Sequence, residues 1–452
     1  MPQEPPERHL RLVLDDDLNL DAASLGAYAG WQAALAEAAR AGPPPPRVLL
    51  AAHGGLVSQT SGEAFAGHVR ELDEAGWTVT FITRTGLEEA LDRLTNTHLF
   101  SGLVRVVGQL LALYRRSDPA AFFPLGAFSG NASGPVTAPT LDAQAQAREQ
   151  RLLADLQGLI GSEAAGDSAE VRALVEHWQA HPADLRSAVK SAAQQTAVLL
   201  GQHTWQAVQP AVAPLLQGAD RDQVSLSVQE LRAALATTAA AAADPNALEA
   251  YLVEQVIRTV FPPPRTLWQQ MKDRMAALVR PGAVGTALLG FLDGLPPLRV
   301  ALVGHSLGGI LLDHLERAAA TLTPLRDRVE GVVYLAPANT LAFARQTPRL
   351  PHARYALMGL TDAEERTEVG QISPLIAGLY PRTVLYLISN ALEDQRGTPL
   401  LGMQRYLTAD SFRGRFQTVT WVPTPQIQHF THTGFLSDPA IRAWVRGQLG
   451  LA

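Results

Sequence analysis

Six short runs of apolar residues, rich in β-branched side chains, punctuate this chain at 47–52, 77–83, 299–303, 331–336, 383–389 and 416–422. Most are apolar throughout instead of alternating. A strand with that pattern must be covered on both faces, which is the situation of a parallel sheet wrapped by helices. Helical patterns fall between several of the runs, at about 62–75, 307–320 and 440–448. The expected architecture is therefore an α/β fold with a mostly parallel, doubly wound sheet.

Between about 86 and 285 the strand signals vanish and Ala-rich amphipathic stretches replace them, with helices expected at 87–116, 141–159, 169–179, 184–201 and 248–261. The segment 117–140 is rich in Pro, Gly, Ser and Ala and reads as a loop. The expected organisation is a discontinuous core, 1–86 and 286–452, interrupted by a large helical insertion, 87–285. A length of 452 residues accommodates one large domain with such an insertion.

Composition narrows the function classes. A net charge of −6 and scattered arginines, with Lys190 and Lys272 as the only lysines, give no electrostatic reason to expect nucleic acid as a partner. The absence of cysteine excludes disulfides, thiol catalysis and thiolate metal sites. Residues 1–12 lack a basic and then apolar leader pattern, and no run approaches the ~18 apolar residues of a membrane span, so a cytoplasmic protein with no transmembrane segment is expected. Oligomeric state is not legible.

Gly304-His305-Ser306-Leu307-Gly308, followed by Gly309, matches the Gly-x-Ser-x-Gly pattern of a nucleophile elbow. The bare pattern is weak; its placement directly after the 299–303 run and at the start of a helical stretch gives it weight. Small neighbours let a serine hydroxyl project from a strained turn, and the helix N-terminus aims N–H groups at a developing oxyanion. The plain alternative is a Gly-rich turn with a helix-capping serine. Leu307 N–H is the first expected oxyanion donor. Gly55 N–H, in His53-Gly54-Gly55 at the end of the 47–52 run, is the second, with His53 expected to brace the loop by hydrogen bonds. The general base is expected after the last strand, where His432 is preferred and His429 is the alternative. The orienting carboxylate is expected after the 383–389 run, where Asp394 is preferred to its neighbour Glu393. The order serine, acid, histidine is that of the α/β-hydrolases. The two histidines alone are a weak metal site, so neither a metal nor a cofactor is expected.

The segments Val48 to Val57, Gly304 to Gly309 and His432-Thr433-Gly434-Phe435 resemble bacterial α/β-hydrolases, most closely an esterase- or lipase-like group with a His-Gly-Gly-Leu loop and a long helical insert. Leu387 to Asp394, Gly402-Met403, and Trp268 with Met271-Lys272 are similar to parts of that group. This resemblance implies an α/β-hydrolase fold, a serine hydrolase acting on a small-molecule acyl ester, and an insertion that serves as a cap whose apolar faces at 87–116 and 248–261 line an acyl pocket. Thioesterase, amidase and acyltransferase chemistry would use the same residues. A catalytically silent fold serving as a protein-binding module is the reading from another class, and nucleotide binding is disfavoured because no phosphate-binding glycine loop follows a strand.

Overall fold

The computed structural model describes residues 8–14, 18–54, 59–83, 98–117, 143–162, 169–216, 247–367, 380–407, 415–422 and 435–451. Two compact units divide the chain. The first comprises Met1–Ala90, Thr266–Ser373 and Thr383–Ala452, and the second Leu91–Arg265 with Pro374–Arg382. The first unit begins with β1 (His9–Leu14), α1 (Ala22–Arg40), β2 (Arg47–Ala52), α2 (Gln59–Leu72) and β3 (Trp77–Thr83). The second holds α3 (His98–Ser117), α4 (Ala143–Ser162), α5 (Ala169–Ala180), α6 (Pro182–Leu216) and α7 (Ala247–Gln255), which runs into a π turn at Val256–Val260. The chain returns through α8 (Pro263–Ala277), α9 (Val284–Asp293), β4 (Arg299–His305), α10 (Leu307–Ala319), α11 (Thr323–Arg328) and β5 (Val329–Leu335). It ends with α12 (Leu341–Gln346), β6 (Arg354–Leu360), α13 (Asp362–Thr367), α14 (Val384–Leu387) with a π turn at Ile388–Leu392, β7 (Thr418–Val422) and α15 (Pro439–Leu449).

Seven strands form one sheet in the order β1-β3-β2-β4-β5-β6-β7, and every pairing is parallel. The central strands are buried along nearly their whole length, as their unbroken apolar sequences require. The chain steps from β1 past β3 to β2, back to β3, and then from β4 outward in the other direction. Right-handed crossovers then set α1 and α2 on opposite faces. Trp31 of α1 meets Trp77 and Phe291 of α9, with ring centroids 5.9 and 6.4 Å apart, while Arg442 of α15 pairs with Glu71 of α2 at 3.2 Å. The reversal of direction lies between β2 and β4. The crevice beyond the carboxyl ends of two such strands is where open α/β sheets bind ligands.

Four of the six expected strands are β2, β3, β4 and β5, and a fifth is β7. The sixth is a correction. Residues 383–389 are helical: Thr383 caps α14 by accepting the Tyr386 N–H, and Val384, Leu385, Tyr386 and Leu387 are all buried. A short run that is apolar on every side satisfies a buried helix as well as a buried strand, and the capping threonine decides it here. Two strands, β1 and β6, lie outside the expected set. Thr266–Ser373, including nearly all of α8 and the whole of α9, groups with the sheet and not with the helical unit.

Within the helical unit α3 packs on α4, α6, α7 and the Val256–Val260 turn, and the Phe100 and Phe261 rings are 5.3 Å apart. Leu110 and Val256 are fully buried there, so these apolar faces build a core. Buried Glu254 accepts the Tyr380 hydroxyl at 3.0 Å and pairs with Arg382 at 3.5 Å, and the Arg382 guanidinium stacks over Tyr251. Those bonds hold the end of the Pro374–Arg382 segment to its unit. Among the described residues no helix is long and apolar enough to cross a membrane.

Candidate active site

Strand β4 runs straight into Ser306, and α10 starts at the next residue, Leu307. Ser306 has φ 53° and ψ −118°, a conformation that costs a residue with a β-carbon about 1–3 kcal/mol and persists only where neighbours enforce it. The enforcing contacts are backbone bonds. Ser306 N–H donates to Leu335 O at 3.0 Å, and Ser306 O accepts from Gly309 N–H at 2.9 Å and Ala338 N–H at 3.0 Å. The turn is thereby pinned to β5, to its own helix and to the loop after β5. Both Ser306 and Leu307 are buried, and Leu307 is the first residue of a helix of 13 residues, where unsatisfied N–H groups and the macrodipole favour negative charge.

The loop after β2 lies against this turn. A β-carbon on Gly54 would sit 3.0 Å from His305 Nδ1 and 3.2 Å from Ser306 Cβ, so only a residue without a side chain lets the loop approach so closely. Thus the two sequence motifs, His53-Gly54 and the Gly304–Gly308 pentapeptide, meet at the reversal point between β2 and β4. Gly55, the expected second oxyanion donor, lies outside the described residues.

His53 is buried and its ring packs edge-on against Phe65 at 5.1 Å. Burial, followed by the nearby His305, pushes its pKa down to about 3, so the imidazole is neutral. Its Nδ1 makes no hydrogen bond of good geometry among the described residues, while a hydrogen bond with the Gly54 backbone works against the lowering of its pKa, in line with the expected bracing of the loop. His305 points to a different neighbour: its ring lies 5.7 Å from that of Phe435, where the described chain resumes before α15. His429 and His432 lie outside the described residues.

The two candidate acids, Glu393 and Asp394, follow the Ile388–Leu392 turn. Asp394 is exposed. Glu393 is buried and heavily engaged: Trp268 Nε1 donates to its Oε1 at 2.7 Å, and Lys272 Nζ reaches Oε1 at 3.0 Å and Oε2 at 2.9 Å. Trp268 and Lys272, adjacent in one turn of α8, are the residues singled out ahead of the elbow, and their destination is this carboxylate. A cavity of about 320 Å³ opens beside the pair, walled by Lys272, His314, Asn339, Thr340, Phe343 and Glu393 among others. Burial, then the charge of Arg317, pushes the pKa of His314 down to about 4.

Sequence reasoning missed a polar cluster behind the elbow helix, made by Asp313 and Glu316 of α10 with Tyr334, Asn339, Tyr355 and Arg415. Its signal was present: two acids three residues apart on a helix whose other inward positions are apolar. Among the described residues no three His, Cys, Asp or Glu side chains come together as a metal site. Scans of known family models, curated proteins and solved structures found nothing that matches this chain.

Proposed function

We propose that this chain is a serine hydrolase of the α/β-hydrolase kind, cleaving a small-molecule carboxylic ester through an acyl-enzyme on Ser306. One observation carries the proposal. A non-glycine residue is held at positive φ on a strand-to-helix turn, at the carboxyl edge of a parallel sheet and at its reversal point. A capping serine needs no such conformation; an N-cap adopts extended backbone, as Asp438 does ahead of α15.

In this mechanism Ser306 Oγ attacks the acyl carbon while His432 takes its proton, and the N–H groups of Leu307 and Gly55 hold the oxyanion. Collapse of the tetrahedral intermediate expels the alcohol, which leaves with the proton from His432. Water deprotonated by the same imidazole then releases the acid and restores the serine. These steps call on no metal or cofactor. Asp394 takes the orienting role because the Glu393 carboxylate is engaged by Lys272 and Trp268. The base belongs to the segment before Phe435, which His432 precedes by three residues and His429 by six.

The test is labelling by a fluorophosphonate probe, alongside turnover of nitrophenyl esters of increasing acyl length with matching thioester and amide substrates. Labelling of wild type, lost in Ser306→Ala and lost to a greater extent in His432→Ala than in His429→Ala, is the expected result. Folded wild-type protein that takes up no probe would leave the elbow as a turn and nothing more.

A further inference from the structure

Helix α10 turns two carboxyl groups, Asp313 and Glu316, into the protein, and neither has any exposure. The groups facing them come from every neighbouring element: Tyr334 from β5, Tyr355 from β6, Asn339 from the loop after β5, Arg415 from the segment before β7, and Arg317 from α10 itself. Arg317 spends its bonds elsewhere, on Thr347 and Phe343 O, and Arg349 stacks over Tyr355. Apolar walls close the site, with Phe416 edge-on to both tyrosines at 5.9 and 6.4 Å.

Counting hydrogens in this cluster leaves one missing. The Tyr334 hydroxyl has one hydrogen, yet its oxygen bonds both Asp313 Oδ1, at 2.7 Å, and Glu316 Oε1. Ionised carboxylates only accept, so with both acids charged one of these contacts would bring two acceptors together. The remaining oxygens are already provided for. Asn339 Nδ2 donates to Asp313 Oδ2 at 2.6 Å, and the Tyr355 hydroxyl donates to Glu316 Oε2 at 2.7 Å while accepting from Leu350 N–H. Arg415 lies 3.3 Å from Glu316 Oε2 and 3.6 Å from Asp313 Oδ1, one guanidinium against two carboxyls. A single proton completes the hydrogen bonds and brings the two carboxyls and Arg415 to neutrality.

We propose that Glu316 carries this buried proton around neutral pH, donating it to Tyr334 while Tyr334 donates to ionised Asp313, so that a protonated carboxyl pins the elbow helix to β5 and β6. Glu316 is a positioning residue for α10, the helix that begins at Ser306. Its environment agrees with the count: burial, together with the charge of Asp313, outweighs Arg415 and raises its carboxyl to about 7. Asp313 is raised by burial as well, and the proton belongs to the pair in any titration.

Infrared spectroscopy of the folded full-length protein tests this independently of any activity of Ser306. At about pH 6 ordinary carboxyl groups are ionised, so the carbonyl stretch of an un-ionised carboxylic acid reports the buried proton directly. Wild type is expected to show that band and to lose it as pH rises through about 7. Glu316→Gln is expected to lack it. So is Asp313→Asn, because without Asp313 the guanidinium of Arg415 has Glu316 alone to neutralise and ionises it. Glu330→Gln, at a partly exposed carboxylate paired with Arg299, should keep the band. Absence of the band from folded wild type, or its survival in either Glu316→Gln or Asp313→Asn, overturns the proposal. Should one of those two variants fail to fold, the wild-type pH titration and the other variant decide the matter by the same criteria.

Discussion

Gly308 sits so close to the end of β2 that a β-carbon on it would lie 2.1 Å from the carbonyl oxygen of Ala52. This is a contact between backbones of two elements, the first turn of the elbow helix and the strand that leads into the His53-Gly54 loop. Because the obstacle is backbone, no side-chain rotamer relieves it. Gly308→Ala is expected to cost about 3 kcal/mol or more, at the upper end of overpacking penalties, and to lower serine labelling in whatever protein still folds. Gly447→Ala is the control. It lies inside α15 with open space around it and should stabilise the protein by ~0.5–1 kcal/mol. Equal melting temperatures for the two variants would mean that α10 can withdraw from β2.

Strain at Ser306 predicts an unusual ranking of inactive variants. Ser306→Ala keeps a β-carbon at φ 53° and therefore keeps the cost, whereas Ser306→Gly removes it at the expense of a more flexible unfolded chain. The glycine variant should be the more stable by about 1 kcal/mol, a shift of only about 1 °C in Tm for a chain this large, so the urea midpoint is the better readout. Neither should react with a serine-directed probe. A glycine variant that melts well below the alanine variant would show that the turn stores no strain.

The sheet was legible because parallel central strands are buried on both faces and write that burial into unbroken β-branched runs. Where either condition fails, the signal fails. The edge strand β1, His-Leu-Arg-Leu-Val-Leu, carries a positive charge at an exposed position, and β6, Arg-Tyr-Ala-Leu-Met-Gly-Leu, contains no β-branched residue. The run at 383–389 misled for the opposite reason, being apolar on all sides and helical. At the candidate site, the motif located the strained turn at Ser306 and the close approaches at Gly54 and Gly308 because backbone geometry constrains those residue types locally. It could not find Lys272 for Glu393, which are 121 residues apart, or the tyrosines that meet Asp313 and Glu316 from β5 and β6.

The proposed mechanism makes Glu393 a structural acid and Asp394 the catalytic one, and the engagement of Glu393 makes the two roles separable. Removing its partner by Lys272→Met takes the ammonium away from a buried carboxylate, a situation that costs about 3–5 kcal/mol when a buried pair is broken. Glu393→Gln should cost less, because an amide keeps an acceptor for Trp268 and Lys272 is partly exposed. Both variants should retain turnover per folded molecule. Asp394→Asn should do the reverse, leaving the urea midpoint unchanged and lowering turnover by orders of magnitude. If Glu393→Gln abolishes turnover at unchanged stability, the acid role passes to Glu393.

Two buried groups make opposite contributions to stability on mild acidification, and variants should separate them. His53 has a folded pKa near 3 against 6.5 when unfolded. The unfolded chain therefore binds the proton first, and His53 stabilises fully above about pH 6.5 and progressively less as pH falls toward 3. Glu316 has a folded pKa near 7 against 4.5 when unfolded. Here the folded chain binds the proton first, so stability grows as pH falls from about 7 toward 4.5. Between about pH 7 and pH 5 each group is worth about 2 kcal/mol at 1.36 kcal/mol per unit, with opposite signs. Relative to wild type, Glu316→Gln should therefore lose urea resistance on going from pH 7 to pH 5, and His53→Gln should gain it. The comparison needs only denaturation midpoints at the two pH values, with equal m-values to show that the unfolding transition is the same. If both variants follow the wild-type slope, neither residue is titrating as its burial requires, and the buried proton on Glu316 would fall with that result.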